Sequence, residues 1–168
     1  FESGYTHYTG DEVLIDEDLE FTFGTLKGTC LSMGNPHFVS WKTNMELPEL
    51  SRLIHQMGTD IEKSPHFRQG TNFELASKIT DQEINMAVWE RGAGYTLACG
   101  SGATAAVCAG VKTGMLLKNQ PVTVNMPGGK LIVNVVGDGK SVEIEGEAKF
   151  VYGGSIEFDS PISSKSAG

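Results

Sequence analysis

Several runs along the chain alternate apolar and polar residues, and that period of two predicts β-strands. They lie at Val13–Ile15, Leu19–Phe23, Thr25–Met33, His37–Lys42, Asn72–Lys78, Glu83–Glu90, Val122–Met126, Lys130–Val136, Val142–Glu145 and Ala148–Phe158. Turn residues separate them at Gly34-Asn35-Pro36, Pro127-Gly128-Gly129, Gly137-Asp138-Gly139 and Gly153-Gly154. Two segments follow the helical period instead. Pro48–Met57 places Leu50, Leu53, Ile54 and Met57 on one face, with Pro48 in the first turn and Gly58 as the expected stop. Gly102–Leu117 is small or apolar nearly all round, through Ala103, Ala105, Ala106, Val107, Cys108, Ala109 and Val111. A helix without a polar face is buried. The pattern therefore predicts an α+β fold, a curved and mostly antiparallel β-sheet wrapped around one central apolar helix.

Composition narrows the function classes. A chain of 168 residues suits one domain with a real core. Its net charge of −8 argues against nucleic acid or an anionic membrane as partner. The most apolar stretch, Leu97–Leu117, is broken by Gly100, Gly102, Gly110, Lys112 and Gly114, so no membrane span is expected. Three cysteines without framework spacing point to a reducing compartment, hence the cytoplasm. No CxxC or HxxH spacing suggests a metal site. Phe1–Asp18 reads as connecting sequence, and the chain as a piece of something longer.

The chemistry concentrates in Trp89–Ala106, WERGAGYTLACGSGATAA. A lone cysteine is by type a small buried hydrophobe, and Cys30 and Cys108 keep that reading. Cys99 departs from it because Gly100-Ser101-Gly102 follows at a helix start. Bare amide groups and the positive end of the helix dipole meet there. An anion is expected to bind beside the thiol, whose pKa should be lowered. Glu90-Arg91 reads either as a solvated strand end or as an acid and a guanidinium fork able to grip an ammonium and a carboxylate. Gly34-Asn35-Pro36-His37 and Gly70-Thr71-Asn72 read as ordinary turns, or as rigid mounts for Asn35, His37 and Asn72 over a pocket.

Together these segments resemble diaminopimelate epimerase, specifically its C-terminal half. The stretches that carry the resemblance are Ser32-Met33-Gly34-Asn35-Pro36-His37, Gly70-Thr71-Asn72-Phe73-Glu74, Trp89-Glu90-Arg91-Gly92-Ala93-Gly94, Thr96-Leu97-Ala98-Cys99-Gly100-Ser101-Gly102 and Pro127-Gly128-Gly129. The resemblance implies interconversion of L,L- and meso-diaminopimelate, in lysine and peptidoglycan-precursor synthesis, without pyridoxal phosphate or metal. Two cysteines on opposite sides of the α-carbon remove and deliver the proton, and Cys99 matches the second. Gly100 and Ser101 would offer amides to the α-carboxylate. Asn35, Asn72, Glu90 and Arg91 match positions gripping the amino and distal carboxylate groups. His37 and Glu90 would lie near the thiols and assist their ionisation.

The departures from that family are as informative. No second cysteine turn of CGNG type occurs, so the resemblance implies that the partner half carrying the other thiol is missing. The resemblance implies three segments: 1–23 linking to that half, 24–158 forming the C-terminal domain with one catalytic cysteine, and 159–168 as a loose tail. Such a chain would be inactive alone, and homodimerisation is typical of the family. Arg68-Gln69 replaces the Pro-Glu that often precedes Gly-Thr-Asn. Two alternatives share the fold: a proline-type racemase without cofactor, and a non-catalytic ligand-binding or dimerisation module.

Overall fold

The computed structural model describes residues 14–137, 139 and 141–157. Its strands are β1 (Glu17–Phe21), β2 (Gly24–Ser32), β3 (Pro36–Thr43), β4 (Asn72–Thr80), β5 (Glu83–Glu90), β6 (Gly94–Thr96), β7 (Val122–Met126), β8 (Gly129–Val136) and β9 (Ser141–Gly146). Helix α1 (Leu47–Glu62) joins β3 to β4, and α2 (Gly100–Lys112) lies between β6 and β7. The strands form one mixed sheet in the order β1-β2-β3-β4-β5-β7-β8-β9, with β6 paired to β5. Neighbours run antiparallel except β3–β4 and β5–β7, each joined through a helix. The α+β class and the antiparallel bias agree with the sequence pattern.

Side-chain alternation gives the sheet two apolar faces. Phe38, Phe73, Leu75 and Ala87 turn to one, where α1 covers them with Leu50, Ile54, Met57 and Ile61. Val39, Ala76, Met86 and Val88 turn to the other, against Ala103, Ala105, Ala106, Val107 and Ala109 of α2. Helix α2 touches β2, β3, β4 and β5 as well as β8 and β9. No helix among the described residues is long and apolar enough to cross a membrane.

Helix α1 passes straight through Gly58 and ends at Glu62. Gly58 serves close packing rather than termination: a Cβ there would overlap the Trp89 indole. One turn later Glu62 clamps the same region, accepting the Trp89 Nε1–H and the Gly92 N–H at 2.8 Å each. The helix end thereby holds the turn after β5 that carries Glu90 and Arg91. Helix α2 is shorter than its apolar pattern, since Thr113 forms its C-cap and its hydroxyl donates to the Ala109 carbonyl at 2.9 Å.

The expected strand over Ala148–Phe158 is not formed. Residues 147–157 carry no regular structure, and Phe150, Val151, Tyr152 and Ile156 are exposed by 80–89%. Alternation makes a strand only where a neighbouring edge supplies hydrogen bonds, and among the described residues none pairs with this segment. Leu14 and Ile15 lie outside β1, although the Leu14 carbonyl accepts the Cys30 N–H at 3.0 Å. Val13, Phe158, most of segment 1–23 and the tail 159–168 lie outside the described residues. Strand β6 gave no periodic signal, being three residues long and itself beginning at Gly94.

Gly58→Ala should lower stability although alanine is the better helix former. The propensity gain is about 1 kcal/mol, whereas forcing a methyl into a packed ring costs about 1–3 kcal/mol. Urea unfolding should show a lower midpoint with an unchanged slope. A midpoint raised by the full propensity gain would exclude the close packing of Gly58 on Trp89.

Candidate active site

Cys99 caps α2 from an extended backbone (φ −146°, ψ 115°), which aims its sulfur back over the first turn. Sγ accepts the Gly102 N–H at 3.3 Å and lies 3.5 Å from the Ser101 hydroxyl. The approach is braced from outside, because the Gly128 N–H of the β7–β8 turn donates to the Leu97 carbonyl at 2.7 Å. The amides of Gly100 and Ser101 have no acceptor among the described residues. Gly100 is exposed, with open space where a side chain would stand. Two donors without an acceptor thus stand beside a half-buried thiol, an arrangement able to receive an anion.

The two glycines do different work. Gly100 leaves the approach open, but Gly102 is buried and its amide is already taken by Sγ. A Cβ on Gly102 would stand 2.9 Å from Glu74 Oε1 and 3.3 Å from Sγ. The expectation of a lowered thiol pKa is also corrected. Burial raises the Cys99 pKa; hydrogen bonds from Ser101 and Gly102 lower it, and the charges of Glu90 and Glu74 raise it again. The upward influences win, so the sulfur is held as a thiol.

Behind α2, β3 and β4 start side by side in parallel, with His37 opposite Asn72. Glu74, two residues along β4, faces α2 and reaches His37 Nδ1 at 2.7 Å with both side chains fully buried. His37 Nε2 meets Asn35 Oδ1 at 3.0 Å. Asn72 is a tie between loops: its Nδ2 donates to the Pro36 carbonyl at 2.8 Å, and its Oδ1 accepts the Arg91 N–H at 2.9 Å. Arg91 is exposed, and its Nη1 donates to the Gln69 carbonyl at 3.1 Å. That contact uses backbone, so it is indifferent to the Arg68-Gln69 replacement. Glu90 Oε1 accepts the Thr96 hydroxyl across the β5–β6 hairpin.

Two chains of contact therefore emerge, Asn35–His37–Glu74 running beneath Gly102 and Cys99, and Asn72–Arg91 running beside Glu90. The charge of Glu90 is felt at both Cys99 and Glu74. The residues singled out from sequence belong to one of these chains or to the α2 start, except Glu90, which is held by Thr96. Sequence reasoning missed Glu74, Thr96 and Glu62. Only Glu74 left a signal, a carboxylate in an otherwise apolar strand run at a core-facing register. A cavity of about 390 Å³ lined by Lys27, Trp41, Lys42 and Lys78 lies at the far end of β3, away from this cluster.

A family model described as diaminopimelate epimerase matches residues 29–151. The diaminopimelate epimerase of Bacillus subtilis is 43% identical over 125 residues, covering 74% of this chain and 43% of that protein. That of Halothermothrix orenii is 40% identical over 164 residues, covering 91% of this chain and 55% of its own. The chain spans about half the length of the curated relatives it matches. Among solved structures, a hydroxyproline epimerase from Agrobacterium vitis matches with a TM-score of 0.54 at 14% identity, over 77% of this chain and 44% of that one. That likeness is one of fold.

The thiols should differ in reactivity. Burial pushes Cys108 up to about 12 and Cys30 higher still, so iodoacetamide should modify Cys99 before either. Cys99 in turn should react more slowly at neutral pH than an unperturbed cysteine, since its raised pKa leaves less thiolate. Glu90→Gln removes a like charge, lowers that pKa and should speed alkylation. Rate–pH profiles followed by mass spectrometry test this, and a Cys99 midpoint at or below the ordinary cysteine value would contradict it.

Proposed function

The chain belongs to the diaminopimelate epimerase family, and from that premise we propose that it supplies one thiol face of a two-cysteine epimerase interconverting L,L- and meso-diaminopimelate. The observation that carries this reading is the half-buried Cys99 sulfur beside the unpaired amides of Gly100 and Ser101.

In this reading the substrate α-carboxylate occupies the two amides, which meet the charge that grows as the α-proton leaves. The Cα then lies over Sγ. Because burial and nearby carboxylates hold Cys99 protonated, its S–H is ready to give a proton to the carbanion, leaving a thiolate. A second cysteine on the opposite face, present as its thiolate, takes the original proton and becomes the thiol. In the reverse reaction the Cys99 thiolate removes the proton. Arg91 and Glu90 grip the distal carboxylate and ammonium, Asn35 and Asn72 complete the enclosure, and His37 and Glu90 tune the thiols. No pyridoxal phosphate or metal takes part.

The domain reading is 24–158 as a C-terminal domain, entered through 1–23, with 159–168 beyond it. Helix α2 is its central element, and the contacts of α2 with β2 as well as β9 support a sheet that curves about it. The exposed Phe150, Val151, Tyr152 and Ile156 support a further half covering this side. That half would bring the second thiol, so the chain alone would not turn over; the complete enzyme is read as a cytoplasmic homodimer. Proline-type racemases of similar fold need no clamp for a distal ammonium and carboxylate, so Glu90-Arg91 favours diaminopimelate.

The test uses the enzyme reassembled with a half bearing the second cysteine, scored by solvent deuterium entering Cα. Cys99→Ala should cost about 10²–10⁴-fold in epimerisation, the usual worth of a positioned acid–base group. Near-normal turnover, or exchange of proline-type acids alone, would refute the assignment. Arg91→Lys should raise KM about tenfold with little change in kcat, because a bidentate fork becomes a point charge. An unchanged KM would remove Arg91 from the clamp.

A further inference from the structure

We propose that Glu74 is a positioning residue that, through His37, fixes which way the Asn35 side-chain amide faces. The inference deepens the diaminopimelate reading and rests on it only for its final step. Glu74 is 0% exposed and His37 1%. Asn35, at the mouth of the same chain of contacts, is half-buried.

The argument is a count of hydrogens. Asn35 Oδ1 can only accept, and it lies 3.0 Å from His37 Nε2, so Nε2 must carry a hydrogen. At the other nitrogen, Nδ1 lies 2.7 Å from Glu74 Oε1. Either a neutral Glu74 carboxyl donates to Nδ1, or an imidazolium donates to a carboxylate. In both forms the pair holds one proton between Nδ1 and Oε1 and has no net charge. With the Asn35 amide rotated, Nε2 would be bare and Nδ1–H would face a carboxylate carrying a full negative charge. That charge would be buried, and Oε2 has no hydrogen-bond partner to share it. Burial is the largest influence on Glu74 and favours its proton; His37 opposes it and the Glu90 charge adds to it.

The proton on this pair therefore decides the orientation of Asn35. With Oδ1 committed to His37, Asn35 turns its two Nδ2–H donors away from the imidazole. It is thus set to meet an acceptor, a substrate carboxylate oxygen, and is the wrong polarity for an ammonium. Glu74 touches no substrate in this arrangement; it acts through His37.

The first measurement needs only this chain, with ¹⁵N-labelled histidine. Long-range ¹H–¹⁵N correlation, with His37 assigned by its loss in His37→Gln, should find Nε2 protonated. A bare Nε2 overturns the proposal. Glu74→Gln keeps an uncharged donor toward Nδ1 and should preserve the Nε2–H form; conversion to the Nδ1–H form overturns it. In the reassembled two-half enzyme, Glu74→Gln should hold KM for diaminopimelate within about twofold. Glu74→Leu should raise KM about tenfold, the worth of one hydrogen bond, with a smaller change in kcat. KM unchanged in Glu74→Leu, or raised tenfold in Glu74→Gln, overturns the positioning role. Should Glu74→Leu not fold, the Nε2 proton and the Glu74→Gln KM still decide. A wild-type enzyme inactive on diaminopimelate would remove the functional reading instead, and the Nε2 proton would still support or overturn the Glu74 assignment.

Discussion

The missing Cβ at Gly102 is the constraint on which the cluster depends. A side chain there would stand 2.9 Å from Glu74 Oε1 and 3.3 Å from Cys99 Sγ. With glycine, the first turn of α2 settles directly onto a buried carboxyl, and its third amide reaches the sulfur. Glycine costs about 1 kcal/mol relative to alanine inside a helix. The eight buried residues that follow Gly102, Ala103–Gly110, carry the packing of α2.

Topology delivers the remaining groups to the same place. A parallel β3–β4 pair needs a crossover, and α1 provides it, so two loops begin adjacent strands at one edge of the structure. Asn72 ties those loops to each other and to the turn after β5. The β5–β6 hairpin then folds back to set Thr96 against Glu90 before the chain enters α2. Antiparallel neighbours alone would have joined these strand ends by short turns and left no room for a helix start between them.

Much of this was legible in the sequence, and the exceptions have physical causes. The main strands were located from their apolar runs and bounding turns, although β3, β4 and β5 are buried on both faces, one against α1 and the other against α2. The all-round small character of Ala103–Ala109 identified the buried helix, and the glycines about Ser101 marked its open start. Gly58 misled because a glycine in a helical pattern reads as a stop, whereas its reason here is the ring of Trp89, distant in sequence. Ala148–Phe158 misled because alternation reports only a capacity to pair. The thiol was misjudged on one effect: hydrogen bonds at the helix start lower its pKa, but burial, aided by the charge of Glu90 from β5, outweighs them, and burial is not visible in the local sequence.

The cluster divides into parts that tolerate sequence change and parts that do not. Arg91 is oriented by the Gln69 carbonyl and the approach to Cys99 by the Leu97 carbonyl, and the donors at the start of α2 are the amides of Gly100 and Ser101. Backbone groups are present whatever the side chain, so Arg68-Gln69 can replace another dipeptide without moving the guanidinium. Asn72, His37 and Glu74 are different, because each fills buried space and uses its own side-chain atoms as partners. Replacing any one by an apolar residue strands a buried polar group, at a cost of about 1–3 kcal/mol. Variation is therefore cheapest in the loops that frame the site and most costly at the starts of the two parallel strands beneath it.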